Sequence, residues 1–268
     1  MARAAVSGGL KLRRTWRSAA VVERRPETPT ACTLVLDVPG WPGHLAGQHV
    51  DVRLTAPDGY QAARSYSLAG PSDGEHIQIT VQAVPDGEVS SYLVSDALPG
   101  DSVEVRGPVG GWFVWRPEHS GPVLLIAGGS GVVPLMAMIR TRATRPEPDE
   151  GRASANSAHI NGAPFRLIYS VRTHEDRIYY EELRRRAVED GGLQVRFLYT
   201  RAAPADESRP AGRISIDDLV SHGMAAELQP TCYVCGPTGF VETVADLLIF
   251  LGHDPSRIRT ERFGPSGP

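Results

Sequence analysis

Val123-Leu124-Leu125-Ile126-Ala127-Gly128-Gly129-Ser130-Gly131-Val132-Val133-Pro134 decides the C-terminal half of the fold. The unbroken apolar run reads as a strand buried on both faces, the pattern of a parallel sheet. The glycines and serine that follow make a tight turn, and the apolar stretch through Met136 to Ile139 then has the character of a helix laid back on that sheet. A glycine-rich turn between a buried strand and a helix offers free backbone N–H groups and the positive end of a helix dipole, which suit a pyrophosphate. The spacing differs from Gly-x-Gly-x-x-Gly, and a turn without a ligand would use the same letters.

Downstream of that turn, strand and helix patterns alternate: Leu167 to Val171, Tyr179 to Val188, Gln194 to Tyr199, Ile216 to His222, Cys232 to Cys235 and Phe240 to Leu251. Such alternation predicts a parallel, doubly wound sheet with helices on both faces. Upstream, from Ala31 to Gly107, the rhythm is β-rich and alternating: Thr33 to Val38, His49 to Leu54 and His76 to Val81, separated by Pro39-Gly40, Asp58-Gly59 and Asp73-Gly74. Short strands with hairpin turns at this spacing predict a small antiparallel barrel. One helix is expected in it, Val89 to Ala97, capped by Ser90 or Ser91 and stopped by Pro99-Gly100. The 268-residue chain therefore divides into an N-terminal antiparallel β-barrel over 1–118 and a C-terminal α/β domain over 119–268. Residues 1–14 read as a loose basic leader and 144–164 as an exposed insertion loop.

The bulk properties bound the function. A net charge of −3 and a pI near 6.2 provide no general field for nucleic acid. Three cysteines, Cys32, Cys232 and Cys235, are too few for a disulfide framework and point to a reducing, cytoplasmic setting. No stretch approaches the roughly 20 apolar residues of a membrane span, so a soluble protein without a membrane partner is expected, as a monomer. The spacing of Cys232 and Cys235 is that of a redox dithiol, yet on an extended strand residues three apart face opposite sides. The histidines are scattered without a ligand pattern, which predicts no metal.

Three motifs carry a family resemblance: Arg64-Ser65-Tyr66-Ser67, the Gly128 to Pro134 turn, and Cys235-Gly236-Pro237. In this order they resemble the ferredoxin-NADP reductase superfamily, specifically its bacterial members that bind FAD and lack an iron-sulfur domain, over roughly residues 16 to 264. The resemblance implies that Arg64 clamps the flavin pyrophosphate, that Tyr66 packs on the ring system and that Ser65 and Ser67 belong to the same strand, with Ser67 near N5 of the flavin. An ordinary half-buried strand would read alike. Val89, Ser90 and Ser91 match a segment that seats the FAD pyrophosphate on a helix N-terminus, and with Gly107 to Gly111 closing the barrel this favours FAD over FMN. Gly129, Ser130, Gly131 and Val132 match the turn that holds the NAD(P)H pyrophosphate.

By the same resemblance Cys235, with Gly236 and Pro237, lies beside the nicotinamide, and Glu261 sits near Ser67 and Cys235 to orient it and relay protons. Phe263 matches the aromatic lid over the flavin, in place of the tyrosine that ends many plant-type members. For coenzyme choice the sequence offers Arg172, Arg201 and Arg213, of which Arg201 resembles an arginine that grips a 2′-phosphate, favouring NADPH with NADH possible. The implied activity is an FAD-dependent oxidoreductase that takes hydride from NAD(P)H, with Ser67, Cys235 and Glu261 as catalytic residues, and passes electrons to a separate acceptor such as ferredoxin or an oxygenase component. A free-flavin or ferric reductase, or an electron-transfer subunit active only in a complex, stays open at this point.

Overall fold

The structure is a computed structural model that describes residues 15–144 and 163–264. The expected leader over 1–14, nearly all of the expected loop over 144–164 and the tail after Gly264 lie outside the described residues.

The first sheet contains β1 (Arg17–Thr28), β2 (Ala31–Asp37), β3 (His49–Thr55), β4 (Gln61–Ser67), β5 (His76–Gln82) and β6 (Ser102–Val109), all antiparallel in the order β4-β3-β6-β1-β2-β5. Its outer strands meet: Leu68 bridges Ile79, and Ala69 N donates to Gln78 O at 2.8 Å. The alternation in sequence explains the closure. Val50 and Val52 turn into the barrel and are fully buried, while His49, Asp51 and Arg53 stand on the outer side of the same strand. The long strand β1 is a departure from expectation, because Glu23, Arg24, Arg25 and Pro26 interrupt its apolar pattern. It absorbs them with register shifts at Val21/Glu23 and Pro26/Thr28.

One helix, α1 (Glu88–Ser95), packs Val89, Leu93 and Val94 into the barrel core. Its cap corrects the expectation. Gly87 holds the cap position and neither Ser90 nor Ser91 does; the Ser90 hydroxyl instead accepts from Val84 N at 3.2 Å, tying the helix to the loop before it. A side chain at 87 would lie 2.4 Å from that hydroxyl oxygen and 3.0 Å from Val84 O.

The second sheet is parallel: β7 (Val123–Gly128), β8 (Phe165–Val171), β9 (Leu193–Tyr199), β10 (Thr231–Pro237) and β11 (Ile258–Phe263), in the order β11-β10-β7-β8-β9. Residues of α2 (Val132–Ala143) and α3 (Tyr180–Glu189) join Leu125 and Ala127 in one core layer. Residues of α4 (Ile216–His222) and α5 (Thr238–Phe250) join Leu124 and Ile126 in the other. The central strand β7 is thus buried on both faces, as its apolar run requires. The chain builds β8 and β9 to one side of β7, then returns to build β10 and β11 on the other. The switch point between β7 and β10 is where such sheets hold ligands, outside the carboxyl ends of the strands. Cys235 belongs to the α2 layer and Cys232 to the α5 layer, so the two sulfurs face opposite sides of β10, and both are free.

Barrel and sheet share a core. Ala31, Ala46, Ala69, Phe113 and Trp115 from the barrel side pack with the α2 layer, with Trp115 edge-on to Phe165 at 5.2 Å and Phe113 edge-on to Tyr233 at 5.4 Å between ring centroids.

Candidate functional site

On β4, Arg64 and Tyr66 share one side of the strand and Ser65 and Ser67 the other. Arg64 is exposed, and its Nη1 donates to the neighbouring Ala63 carbonyl at 2.7 Å. Its charge nonetheless reaches the Tyr60 and Tyr66 hydroxyls. Tyr66 lies against the barrel core, where burial pushes its hydroxyl up to about 12, and its oxygen is buried without a hydrogen-bond partner among the described residues. Tyr60, on the β3–β4 turn, donates to Glu88 Oε2 at 3.1 Å in the first turn of α1. Arg64, Tyr66 and the amino end of α1 therefore border one region. Of the α1 residues singled out by sequence, Val89 has a buried side chain, Ser90 is engaged with Val84 and Gly87, and Ser91 N closes the first helical turn on Gly87 O. Ser65 is committed elsewhere, donating to Asp51 Oδ1 at 2.6 Å.

At the switch point, Gly129–Gly131 forms a 3-10 turn ahead of α2. Val132 N closes that turn on Gly129 O and the Val132 side chain is fully buried, so the orphan amides are those of Gly129, Ser130 and Gly131. The turn lies hard against β10: a side chain at 131 would come 2.1 Å from Cys235 O. The Phe240 ring packs on Gly128 and Gly236 together, 2.8 Å from where a side chain would begin at either.

Strands β10 and β11 pair so that Cys235 stands beside Glu261, Gly236 beside Arg262 and Pro237 beside Phe263. Cys235 Sγ is 4.0 Å from Glu261 Oε2. Burial drives the Cys235 thiol well above its usual range, and the Glu261 carboxylate adds to this. Burial alone raises Glu261 itself to about 7. A residue that sequence reasoning passed over completes the group. His49 Nδ1 lies 3.7 Å from Glu261 Oε1, and His49 pairs in register with Ser67 across β3 and β4. Burial lowers its pKa, with Asp51 opposing. Ser67, His49, Glu261 and Cys235 thus form a line across the seam between barrel and sheet. Phe263 is 37% exposed at the end of β11, free to be covered or to cover.

Arg172 and Arg201 are both exposed at the carboxyl ends of β8 and β9, and Arg201 N donates to Arg172 O at 2.9 Å. A recess of about 340 Å³ lies along β9 and α3, away from the switch point. Arg177 stacks 3.5 Å over Tyr180 within it. Among the described residues no three His, Cys, Asp or Glu side chains gather as a metal site, and no helix is long and apolar enough to cross a membrane.

A family model described as an oxidoreductase FAD-binding domain matches residues 31–114, and one described as an oxidoreductase NAD-binding domain matches residues 125–246. The ferredoxin--NAD(P)(+) reductase component of the naphthalene 1,2-dioxygenase/salicylate 5-hydroxylase systems of Ralstonia sp is 31% identical over 222 residues, covering 82% of this chain and 61% of that relative. A flavohemoprotein of Chromobacterium violaceum is 28% identical over 263 residues, covering 93% of this chain and 61% of its own length. The chain spans about three fifths of the length of these curated relatives. Among solved structures, the FAD/NAD binding domain of nitric oxide dioxygenase from Vibrio cholerae superposes with a TM-score of 0.77 at 26% identity, covering 93% of this chain and 99% of that one.

Proposed function

Since this chain belongs to the ferredoxin-NADP reductase superfamily, joining an oxidoreductase FAD-binding domain to an oxidoreductase NAD-binding domain, we propose that it is a flavoprotein reductase. It oxidises NAD(P)H and delivers the electrons to a separate redox protein, a ferredoxin or an oxygenase component. The observation that carries this reading is the line Ser67, His49, Glu261 and Cys235, which crosses from the strand that would bear the flavin to the switch point that would bear the nicotinamide. The barrel, through residue 118, is the FAD domain in this reading, and 119 onward the coenzyme domain.

The residues present suit FAD. Among the described residues Arg64 has no acidic partner, and it can offer its planar fork to a pyrophosphate. The buried, unpartnered Tyr66 hydroxyl awaits an acceptor or donor from a ligand laid on that strand. The amino end of α1 adds amide donors beside Arg64. When bound, FAD supplies the acceptor for two electrons from the nicotinamide and their release to the partner protein.

What the chain itself contributes is position and proton control. The amides of Gly129, Ser130 and Gly131 hold the coenzyme pyrophosphate, and Arg172 and Arg201 meet the 2′-phosphate of NADPH. The high pKa of Cys235 keeps its thiol neutral, so it forms an uncharged wall for the nicotinamide carboxamide side. Glu261, with its carboxyl raised to about 7, holds a proton that a neutral histidine, His49, is placed to exchange. Ser67 adds a hydroxyl at the flavin end of the line. Phe263 shields the ring face that the coenzyme enters.

Anaerobic stopped-flow mixing of the purified protein with NADPH and then NADH, following loss of the flavin's visible absorbance, tests the reading. Rapid bleaching, faster with NADPH, is the expected outcome. A colourless protein that binds neither coenzyme overturns it, and flavin lost on gel filtration but reduced when added back replaces it with a diffusible-flavin reductase.

A further inference from the structure

The two half-sites lie on different sheets, so their separation depends on whatever fixes barrel against sheet. Much of the seam is apolar, built from Phe113, Trp115, Ala46 and Ala69 against the α2 layer. Apolar burial is non-directional and holds two surfaces together without choosing their register. Directional contacts are needed for that. Tyr233 and Arg259 reach the Val114 carbonyl at one end of the seam, and Arg140 binds both sides at once beside the flavin strand. Its side chain is only 9% exposed. Nη1 donates to Ala69 O at 2.8 Å and to Gln78 Oε1 at 3.3 Å, both on the barrel. Nε and Nη2 donate to Glu182 Oε1 at 3.1 Å and Oε2 at 2.6 Å, on the sheet domain. The guanidinium also lies 4.7 Å over the Tyr179 ring. Tyr179 in turn crosses to the barrel, with its hydroxyl on Thr80 Oγ1 and its amide donating to Glu27 Oε2 at 3.3 Å.

The position of these contacts in the chain matters. Ala69 stands two residues after Ser67, and Arg140 rides on α2, the helix that begins at the Gly129–Gly131 turn. A single buried guanidinium therefore links the flavin strand to the coenzyme turn through one short segment and one rigid helix. We propose that Arg140 is a positioning residue that sets the distance between flavin and nicotinamide, an inference that rests on the reductase reading above. Lysine cannot replace it: a point charge cannot hold the fork to Glu182 and reach the Ala69 carbonyl at once.

The test compares Arg140→Lys and Arg140→Gln with Asp190→Asn, which breaks the buried Arg142–Asp190 pair wholly inside the sheet domain. Four quantities are read: flavin affinity by fluorescence, thermal stability, bleaching rate at saturating NADPH, and the charge-transfer absorbance of oxidised coenzyme on the reduced protein. Both Arg140 variants are expected to keep flavin affinity and to lose bleaching rate by about 10- to 100-fold, because a misplacement near 1 Å is enough for that. The charge-transfer band weakens with the rate. Asp190→Asn loses stability but keeps rate and band. If Arg140→Gln does not fold, Arg140→Lys carries the measurement. Parent-like rate and band in a folded Arg140 variant overturn the inference alone, as does an equal loss in Asp190→Asn. A parent protein that never bleaches overturns the reductase reading and this inference with it.

Discussion

Glu261 is partly buried beside a neutral thiol and a histidine whose pKa burial has lowered, so nothing nearby compensates its charge. Burial therefore lifts its carboxyl from the ordinary 4.5 to about 7. Between those values the folded protein holds a proton that the unfolded chain releases. Stability from this residue is accordingly greatest below the window and falls as pH rises through it. The Glu261→Gln variant removes the penalty and is expected to melt higher than the parent above neutrality, with no difference in acid. Its flavin reduction is expected to be slower and to lack the inflection near pH 7 expected of the parent. A parent-like pH profile in that variant would sink the proton-relay role. His49, the other end of the relay, was legible in principle. The loop Pro57-Asp58-Gly59 is centred on Asp58, and pairing symmetric about that residue sets His49 opposite Ser67, whereas a two-residue turn on Asp58-Gly59 would have set it opposite Leu68. Taken singly it is one histidine on an alternating strand, and only the register gives it a role.

The elements read most clearly where burial on two faces leaves few alternatives. The run Val123 to Ala127 could belong only to a central strand, and Ile216 to His222 forms a helix with the bounds its capping residues imply, Ser215 and Asp218 bonding reciprocally at its start. Strand β1 was not legible because its charged middle is stabilised by pairing with β2, a tertiary effect that no local pattern records. Arg140 was hidden for the same reason: on a helix of an arginine-rich chain only the fold shows which guanidinium is buried. The glycine turn, by contrast, makes a sharp prediction at this scale. A methyl group at 131 would meet Cys235 O at 2.1 Å and Gly236 N at 2.8 Å, both backbone atoms that cannot rotate away. Gly131→Ala must therefore push α2 from β10, at a cost of about 1–3 kcal/mol typical of overpacking. It is expected to lower the melting temperature and weaken NADPH binding measured by titration, while flavin affinity stays at the parent value. Unchanged coenzyme affinity would show that the turn does not carry the pyrophosphate.

At the scale of the whole molecule, the barrel and the sheet are separate in strand pairing and joined by packing and by side-chain hydrogen bonds. No strand of one pairs with a strand of the other among the described residues, yet Trp115, 1% exposed, is anchored to the barrel by its amide on Ala46 O at 3.1 Å and packs edge-on to Phe165 of β8. Its indole N–H is buried without a partner among the described residues, so its contribution is the ring's volume and contact area. Because the shared core must open before either half can unfold alone, calorimetry of the flavin-bound protein is expected to show one cooperative transition. Trp115→Ala removes the ring at about 3–5 kcal/mol for a buried aromatic truncation. Most of that loss falls on the coupling between halves, so the single transition is expected to divide in two, with flavin fluorescence appearing at the one that belongs to the barrel. Trp115→Phe keeps much of the area, forfeits no hydrogen bond and is expected to preserve the single transition at a modestly lower temperature. A Trp115→Ala protein that still melts in one step would place the coupling in the polar contacts of Arg140 and Tyr179, and the same calorimetric experiment on Arg140→Lys would then show the division instead.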